Sequence, residues 1–392
     1  MPKVGIEPTI PKEHDFESCA SASSATSARP AQYNTAAFPV KMKLGIIGSP
    51  QSGKTTIFNA LTRGNTPTTS SAGRMEVHTA VVDVPDARVD RLSAMFEPKK
   101  TIYAKVTYAD IAGLEGGGKA TISGQLLNQL TQMDGFLLVV RAFGSDSVPH
   151  PAGSVDPKRD LGVMGSELLL NDLIAVERKL ERLIEERKKG GTDKTINERQ
   201  TALFIRLNEA LNANTPLRKL DLSADESREL ASFGLLTRKP LMTVFNLGEG
   251  QQAPEIQLDH PSTALMGKLE MEIAQLGAED AAVFMKEYGI EELGLSKMIR
   301  LSYDLLQLQS FFTVGEDEVR AWTVQRGATA VEAAGAIHTD LQHGFVRAEV
   351  VAYDDLVAMG GMNEAKAKGR LRLEGKEYPV HDGDIVHVRF NL

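Results

Sequence analysis

Apolar residues along this chain follow two alternating rhythms, and the alternation itself predicts an architecture. Short apolar runs of strand type occupy 43–47, 80–84, 104–109 and 136–142, and helical periodicity covers 54–61 and 124–133 between them. Strand and helix in turn predict an α/β domain whose helices cover a largely parallel sheet. A long charged stretch follows over 166–189, in which Leu169, Leu173, Val176, Leu180 and Leu183 recur at steps of three and four. One stripe can therefore pack while Glu, Lys and Arg face water. Gly190 and Gly191 break this helix and a second is expected over 197–211, so that the pair reads as an inserted helical hairpin at about 160–235. The sheet resumes at 241–245 and 264–266, which are buried-strand runs, leaving sheet on both sides of the insertion. A helix over 295–308, within a connector at 286–308, leads to a last unit over 309–392. There 319–324 and 385–390 read as strands, 331–337 as helix, and Asp382-Gly383 as a tight turn between two strands.

Residues 1–41 break the pattern: they are rich in Ser, Ala, Thr and Pro, carry neither period, and lack the apolar core of a secretory signal. They are expected to be disordered, and Met42, directly before the first strand, is expected to be the natural start, which makes 42–285 the first domain. A chain of 392 residues exceeds one ordinary core and implies two or three domains. A net charge of −8 excludes coating of nucleic acid by bulk electrostatics and confines any RNA contact to local patches. The stripe Lys366, Lys368, Arg370, Arg372 and Lys376 is one such patch, and reads equally as a solvated face. No apolar run approaches the roughly 18 to 20 residues of a membrane span, so no membrane role is expected. Cys19, alone in the sequence, excludes an intramolecular disulfide and fits a reducing compartment. His338 and His343, near a helix end, read as structural or solvated, and neither zinc spacing nor a Gly-x-Ser-x-Gly elbow occurs.

The strongest chemical signal is Gly48-Ser49-Pro50-Gln51-Ser52-Gly53-Lys54-Thr55, a G-x-x-x-x-G-K-[ST] loop between strand and helix. Its glycines let backbone N–H groups curl around phosphate oxygens, Lys54 reaches the β- and γ-phosphates, and Thr55 offers a hydroxyl to Mg2+. A second strand ends in Asp110-Ile111-Ala112-Gly113. The carboxylate there is placed to link to Mg2+, and the Gly113 N–H to meet a γ-phosphate. Leu114 stands where Ras-like enzymes place the water-orienting glutamine, so intrinsic turnover is expected to be slow. A third strand ends in Asn246-Leu247-Gly248-Glu249, a broken form of the Asn-Lys-x-Asp guanine clamp, which makes adenine the expected base.

With these three elements the chain resembles the YchF/Obg-like ATPase family from about residue 42 to 392. The C-terminal strings Phe311-Phe312-Thr313, Glu318-Val319-Arg320-Ala321-Trp322-Thr323-Val324, Ile337-His338-Thr339-Asp340, Gly344-Phe345-Val346-Arg347-Ala348-Glu349 and Asp382-Gly383-Asp384 carry the resemblance furthest. It implies a P-loop G domain with a helical insertion, a C-terminal ubiquitin-like β-grasp (TGS) domain, preference for ATP over GTP and Mg2+ dependence. It further implies a cytoplasmic monomer that associates with the ribosome and its large subunit, with RNA contact through the TGS domain and no role for DNA. Carried onto this chain, Gly48, Gln51, Ser52, Gly53, Lys54, Thr55, Thr56 and Gly113 would meet the phosphates. Asn246, Leu247 and Glu249 would meet the base, and Thr55 and Asp110 the metal ion. The family's Cys-Thr-Ile-Glu-Pro first switch falls on Gly73-Arg74-Met75-Glu76-Val77, so its metal-contacting threonine and its cysteine are both missing; Thr69 and Thr79 are the nearby substitutes, and Arg74 is a candidate to bring charge to the phosphates. Two other readings remain open on residues alone: a GTPase, and an RNA- or ribosome-binding protein whose nucleotide is a structural ligand.

Overall fold

The computed structural model describes residues 42–64, 77–111, 122, 124–190, 193–287, 290 and 292–391. The segment 1–41 with Cys19, Thr69, the first-switch residues Gly73, Arg74, Met75 and Glu76, and Gly113 and Leu114 lie outside them.

In chain order the first elements are β1 (Lys43–Ile47), α1 (Lys54–Thr62), β2 (His78–Asp83), α2 (Ala87–Phe96), β3 (Lys100–Ile102), β4 (Lys105–Asp110), α3 (Gly124–Thr131) and β5 (Gly135–Arg141). Then come α4 (Pro157–Lys189), α5 (Lys194–Asn212), α6 (Ala224–Glu229), β6 (Leu241–Asn246), β7 (Ser262–Leu265), α7 (Gly267–Gln275), α8 (Ala278–Glu287) and α9 (Gly294–Leu305). The last stretch holds β8 (Leu308–Thr313), β9 (Glu318–Gln325), α10 (Ala330–Ile337), α11 (Thr339–His343), β10 (Phe345–Ala352), α12 (Tyr353–Met359), α13 (Met362–Ala367), β11 (Arg372–Glu374) and β12 (Asp384–Phe390).

Among the described residues the strands form two six-stranded sheets, ordered β2-β4-β1-β5-β6-β7 and β11-β10-β12-β8-β9-β3. In the first, β4, β1, β5, β6 and β7 are parallel and β2 is antiparallel on its edge. The central strands β5 and β6 are buried on both faces, which is why they read in sequence as unbroken apolar runs. One core lies on one side of this sheet around Ile47, Phe136, Leu138 and Phe245. The other runs from Leu44 and Ile46 through Met298 and Ile299 of α9 to Phe312, Val319 and Ile385 of the second sheet.

The helical hairpin is present with its expected stripe: Val176 and Leu183 are fully buried against Phe204 and Leu207, with Leu169, Leu173 and Leu180 packed beside them. Helix α4 begins at Pro157 rather than at 166, because Asp156 accepts from the Arg159 N–H and Pro157 fills the first turn. Gly162 and Gly165 look like breakers in sequence and are carried inside it. Asp172 anchors the hairpin to the sheet domain: fully buried, its carboxylate accepts from Leu236 N, Thr237 N and Thr237 Oγ1 at 2.8, 2.7 and 2.6 Å.

Two further features depart from the sequence reading. Asp382-Gly383 turns the chain into β12 but joins no hairpin, since β11 pairs with β10. It clasps β8 instead, with Asp382 Oδ1 accepting from Ser310 N at 2.9 Å and Gly383 N donating to Ser310 O at 2.8 Å. The second change is β3, three residues from the first half of the chain that pair in parallel with β9 and complete the second sheet.

Candidate functional site

The glycine-rich loop, Asp110 and Asn246 meet at the carboxyl ends of β1, β4 and β6, the edge where open α/β sheets bind ligands. The loop holds its curl through Gln51 at φ 61° and Gly53 at φ 93°. A side chain on Gly53 would collide with the Asn246 amide, and one on Gly48 with the Val139 carbonyl, so both glycines are required by close approach as well as by backbone. Gly53 is also the N-cap of α1 and supplies no capping side chain. The first amides of that helix therefore face the loop with no intrahelical acceptor, beside the positive end of the helix dipole.

Lys54 and Thr55 stand at this terminus. The Lys54 ammonium is buried and donates to Gly48 O at 3.1 Å and Ser49 O at 2.9 Å. Burial lowers its pKa to about 8, with Asp110 opposing the shift. Thr55 Oγ1 donates to Asp110 Oδ2 at 2.8 Å. Burial raises the Asp110 pKa, offset by the Thr55 hydroxyl, Lys54 and His78. Among the described residues no cluster of three His, Cys, Asp or Glu side chains could hold a metal unaided. One hydroxyl backed by one carboxylate, opening onto a phosphate cradle, does suit a hard divalent cation whose remaining ligands are phosphate and water. Thr79, weighed as a substitute for the missing switch threonine, is exposed in β2 and pairs with Ala109, while its neighbour His78 pairs with Asp110.

Asn246 does work that residue type alone does not reveal. It is buried, its Nδ2 donates to Ser52 O at 3.0 Å, and its Oδ1 accepts from Gly267 N at 3.0 Å. The side chain thus ties the loop to the start of α7. Ser52 turns its hydroxyl beneath the loop, where it is buried and has no hydrogen-bond partner.

Residues 43–178 match the family described as 50S ribosome-binding GTPase, and 308–391 match the C-terminal family of YchF GTPases, described as a protein of unknown function (DUF933). A Bacillus subtilis (strain 168) protein named Ribosome-binding ATPase YchF is 37% identical over 364 residues, 89% of this chain and 99% of the relative. Its namesake from Escherichia coli O157:H7 is 39% identical over 363 residues, again 89% of this chain and 99% of the relative. This chain belongs to the YchF family. The solved YchF GTPase of Schizosaccharomyces pombe superposes on it with a TM-score of 0.78 at 32% identity, covering 89% of this chain and 98% of that one.

In this YchF-family chain the sequence motifs leave out one wall of the site. Phe143, just past β5, lies 3.9 Å from the place of a Cβ on Gly53 and 3.4 Å from that on Gly248. It therefore borders the phosphate loop on one side and the Asn246-Leu247-Gly248-Glu249 turn on the other. Behind it the Arg141 guanidinium stands 4.4 Å from the ring centroid. The only sequence signal was a cation closing an apolar strand. Leu247 is half-buried and Glu249 exposed. The residues of the basic stripe are exposed, with Arg370 paired to Asp355 and Arg372 to Glu374. His338 caps α11 by accepting from Asp340 N, a structural role.

Proposed function

We propose that this chain is an ATP-binding, slowly ATP-hydrolysing switch that acts on the ribosome. The observation that carries this reading is the pairing of Lys54 and Thr55 at the uncapped start of α1, with Asp110 holding the threonine hydroxyl. Lys54 would exchange its two loop carbonyls for the β- and γ-phosphates, and the amides of Gln51, Ser52, Gly53, Thr55 and Thr56 would ring the phosphate oxygens. Thr55, with Asp110 behind it, would hold Mg2+, which when bound would supply charge neutralisation to the phosphates. Gly113, from its place after Asp110, would offer its N–H to the γ-phosphate. No side chain is proposed as general base: Leu114 replaces the orienting glutamine, which accounts for slow turnover.

Adenine is favoured because Leu247 stands where a guanine clamp has its basic residue and Glu249, at the carboxylate position, is one methylene longer than Asp, while Asn246 already bonds Ser52 and Gly267. Phe143 and Leu247 would flank the base, with Glu249 at its edge. Ribosome association is supported by the names of relatives aligned over 89% of this chain. The proposal includes a TGS domain from about 309 as the RNA-contacting module, a cytoplasmic monomer, and a G domain at 42–285 interrupted by the helical arm; no helix among the described residues is long and apolar enough to cross a membrane.

The test is calorimetric titration with non-hydrolysable ATP and GTP analogues, with and without Mg2+. ATP binding about tenfold tighter, near 1.4 kcal/mol, is expected. Tighter GTP binding would establish the GTPase reading that the matched domain family and the S. pombe protein carry in their names.

A further inference from the structure

Arg141 ends the central strand β5 and is 2% exposed, so its charge is held inside the protein. Its Nε donates to Phe143 O at 3.1 Å and its Nη2 to Val148 O at 2.6 Å, closing 143–148 into a belt around the guanidinium. The same group covers one face of the Phe143 ring. A buried cation is costly unless something specific requires it. The nearest acid does not supply that requirement: Asp160 accepts hydrogen bonds from His150 and Arg159, and reaches Arg141 through its field alone. A Leu or Met could fill the space without a charge to desolvate. What such a residue could not do is hold two carbonyls and a ring together, because only the planar fork of an arginine donates in two directions while stacking.

We infer that Arg141 is a positioning residue for the purine: it fixes Phe143 between Gly53 and Gly248 so that the free face of the ring forms a wall of the base pocket. This rests on the nucleotide-binding reading above. Arg141 touches no ligand itself and acts through the ring, so its effect should fall on the base and spare the phosphates.

The experiment titrates the full chain with a non-hydrolysable ATP analogue and, separately, with inorganic tripolyphosphate, which presents phosphates and no base. Arg141→Gln is expected to weaken the ATP analogue about tenfold, the scale of a lost buried cation–π contact, and to leave tripolyphosphate within about twofold. Phe143→Leu should give a similar loss, and the double variant little more, because the two residues act as one unit. Arg141→Lys keeps the charge, cannot reach both carbonyls, and should recover part of the affinity; should the Gln variant not fold, it carries the same comparison. Unchanged ATP affinity, parallel loss of tripolyphosphate, or additive losses in the double variant would overturn the inference. A native chain that binds tripolyphosphate but gains nothing from the base would overturn the ATP-binding reading itself, and this inference with it.

Discussion

Arg88 and Asp382, 294 residues apart in sequence, form an ion pair with Nη1 and Oδ2 separated by 2.7 Å. Arg88 lies in the first turn of α2, where Asp86 also binds its guanidinium, and the same group stands 5.1 Å from the centroid of Phe312. Asp382 in turn holds the Ser310 amide. One arginine thus fastens a helix of the first sheet's domain to the turn that clasps β8. Arg88→Ala is expected to lower stability by about 1 to 2 kcal/mol, the ion pair being partly exposed and the ring contact less so. Urea denaturation would measure it, and hydrogen exchange should show the added opening at β3 and β9 rather than in the helical hairpin.

Under the proposed function, Lys54 is expected to make nucleotide binding depend on pH. Its folded pKa, near 8, lies below the unfolded value, so the chain carries a buried charge at full cost below about pH 8 and gains stability as pH rises from there toward about 10.5. Phosphates arriving at the ammonium reverse the shift. Near pH 8, binding should take up about half a proton, and near pH 6 almost none. Calorimetry in buffers of different ionisation heat reads this directly, and Lys54→Met should abolish it. Affinity should fall as pH rises through about 8.

The Thr55–Asp110 pair predicts how metal removal behaves. Chelation of Mg2+ should weaken binding of the ATP analogue by about tenfold in the native chain and much less in Thr55→Ala. Equal sensitivity of the two proteins to chelator would place the metal elsewhere.

Asp172 is a buried carboxylate that satisfies the backbone where the helical arm returns to the sheet. Asp172→Ala strands two amides and the Thr237 hydroxyl in the interior, and is expected to cost about 3 kcal/mol. Chemical denaturation would show the loss, with ATP-analogue affinity little changed, since the clamp lies away from the glycine-rich loop.

Much of this was legible in order and not in detail. The glycine-rich loop, Asp110 and Asn246 could be read because each lies at the end of a strand of the first sheet, β1 and β6 announcing themselves as apolar runs and β4 through its buried Val106, Tyr108 and Ala109. Helix α2 was missed because only Val89 and Leu92 are buried, too short a stripe to establish a period. Strand β3 could not be read at all: Lys100 and Thr101 are exposed, and its strand geometry is imposed by β9. The Asn246 side chain was assigned to the base by residue type, yet its contacts belong to Ser52 and Gly267, neighbours that only the folded chain supplies. Arg141 was hidden by its own strand, where a single cation at the end of an apolar run reads as a boundary.

The strand that the first half of the chain contributes to the second sheet bears on the timing of synthesis. Lys99, at the edge of β3, reaches an ion-pair partner, Asp317, that is 218 residues further along. An N-terminal half emerging from a ribosome can close its parallel sheet, but β3 and the face of α2 that meets β9 wait until the last quarter of the chain arrives. Until then the backbone of β3 has no strand to pair with and its hydrogen-bonding groups stay available to other molecules. A chain cut at the start of β8 would stay in that unfinished state, so its two sheets are better understood as one late-closing unit than as modules that could be exchanged.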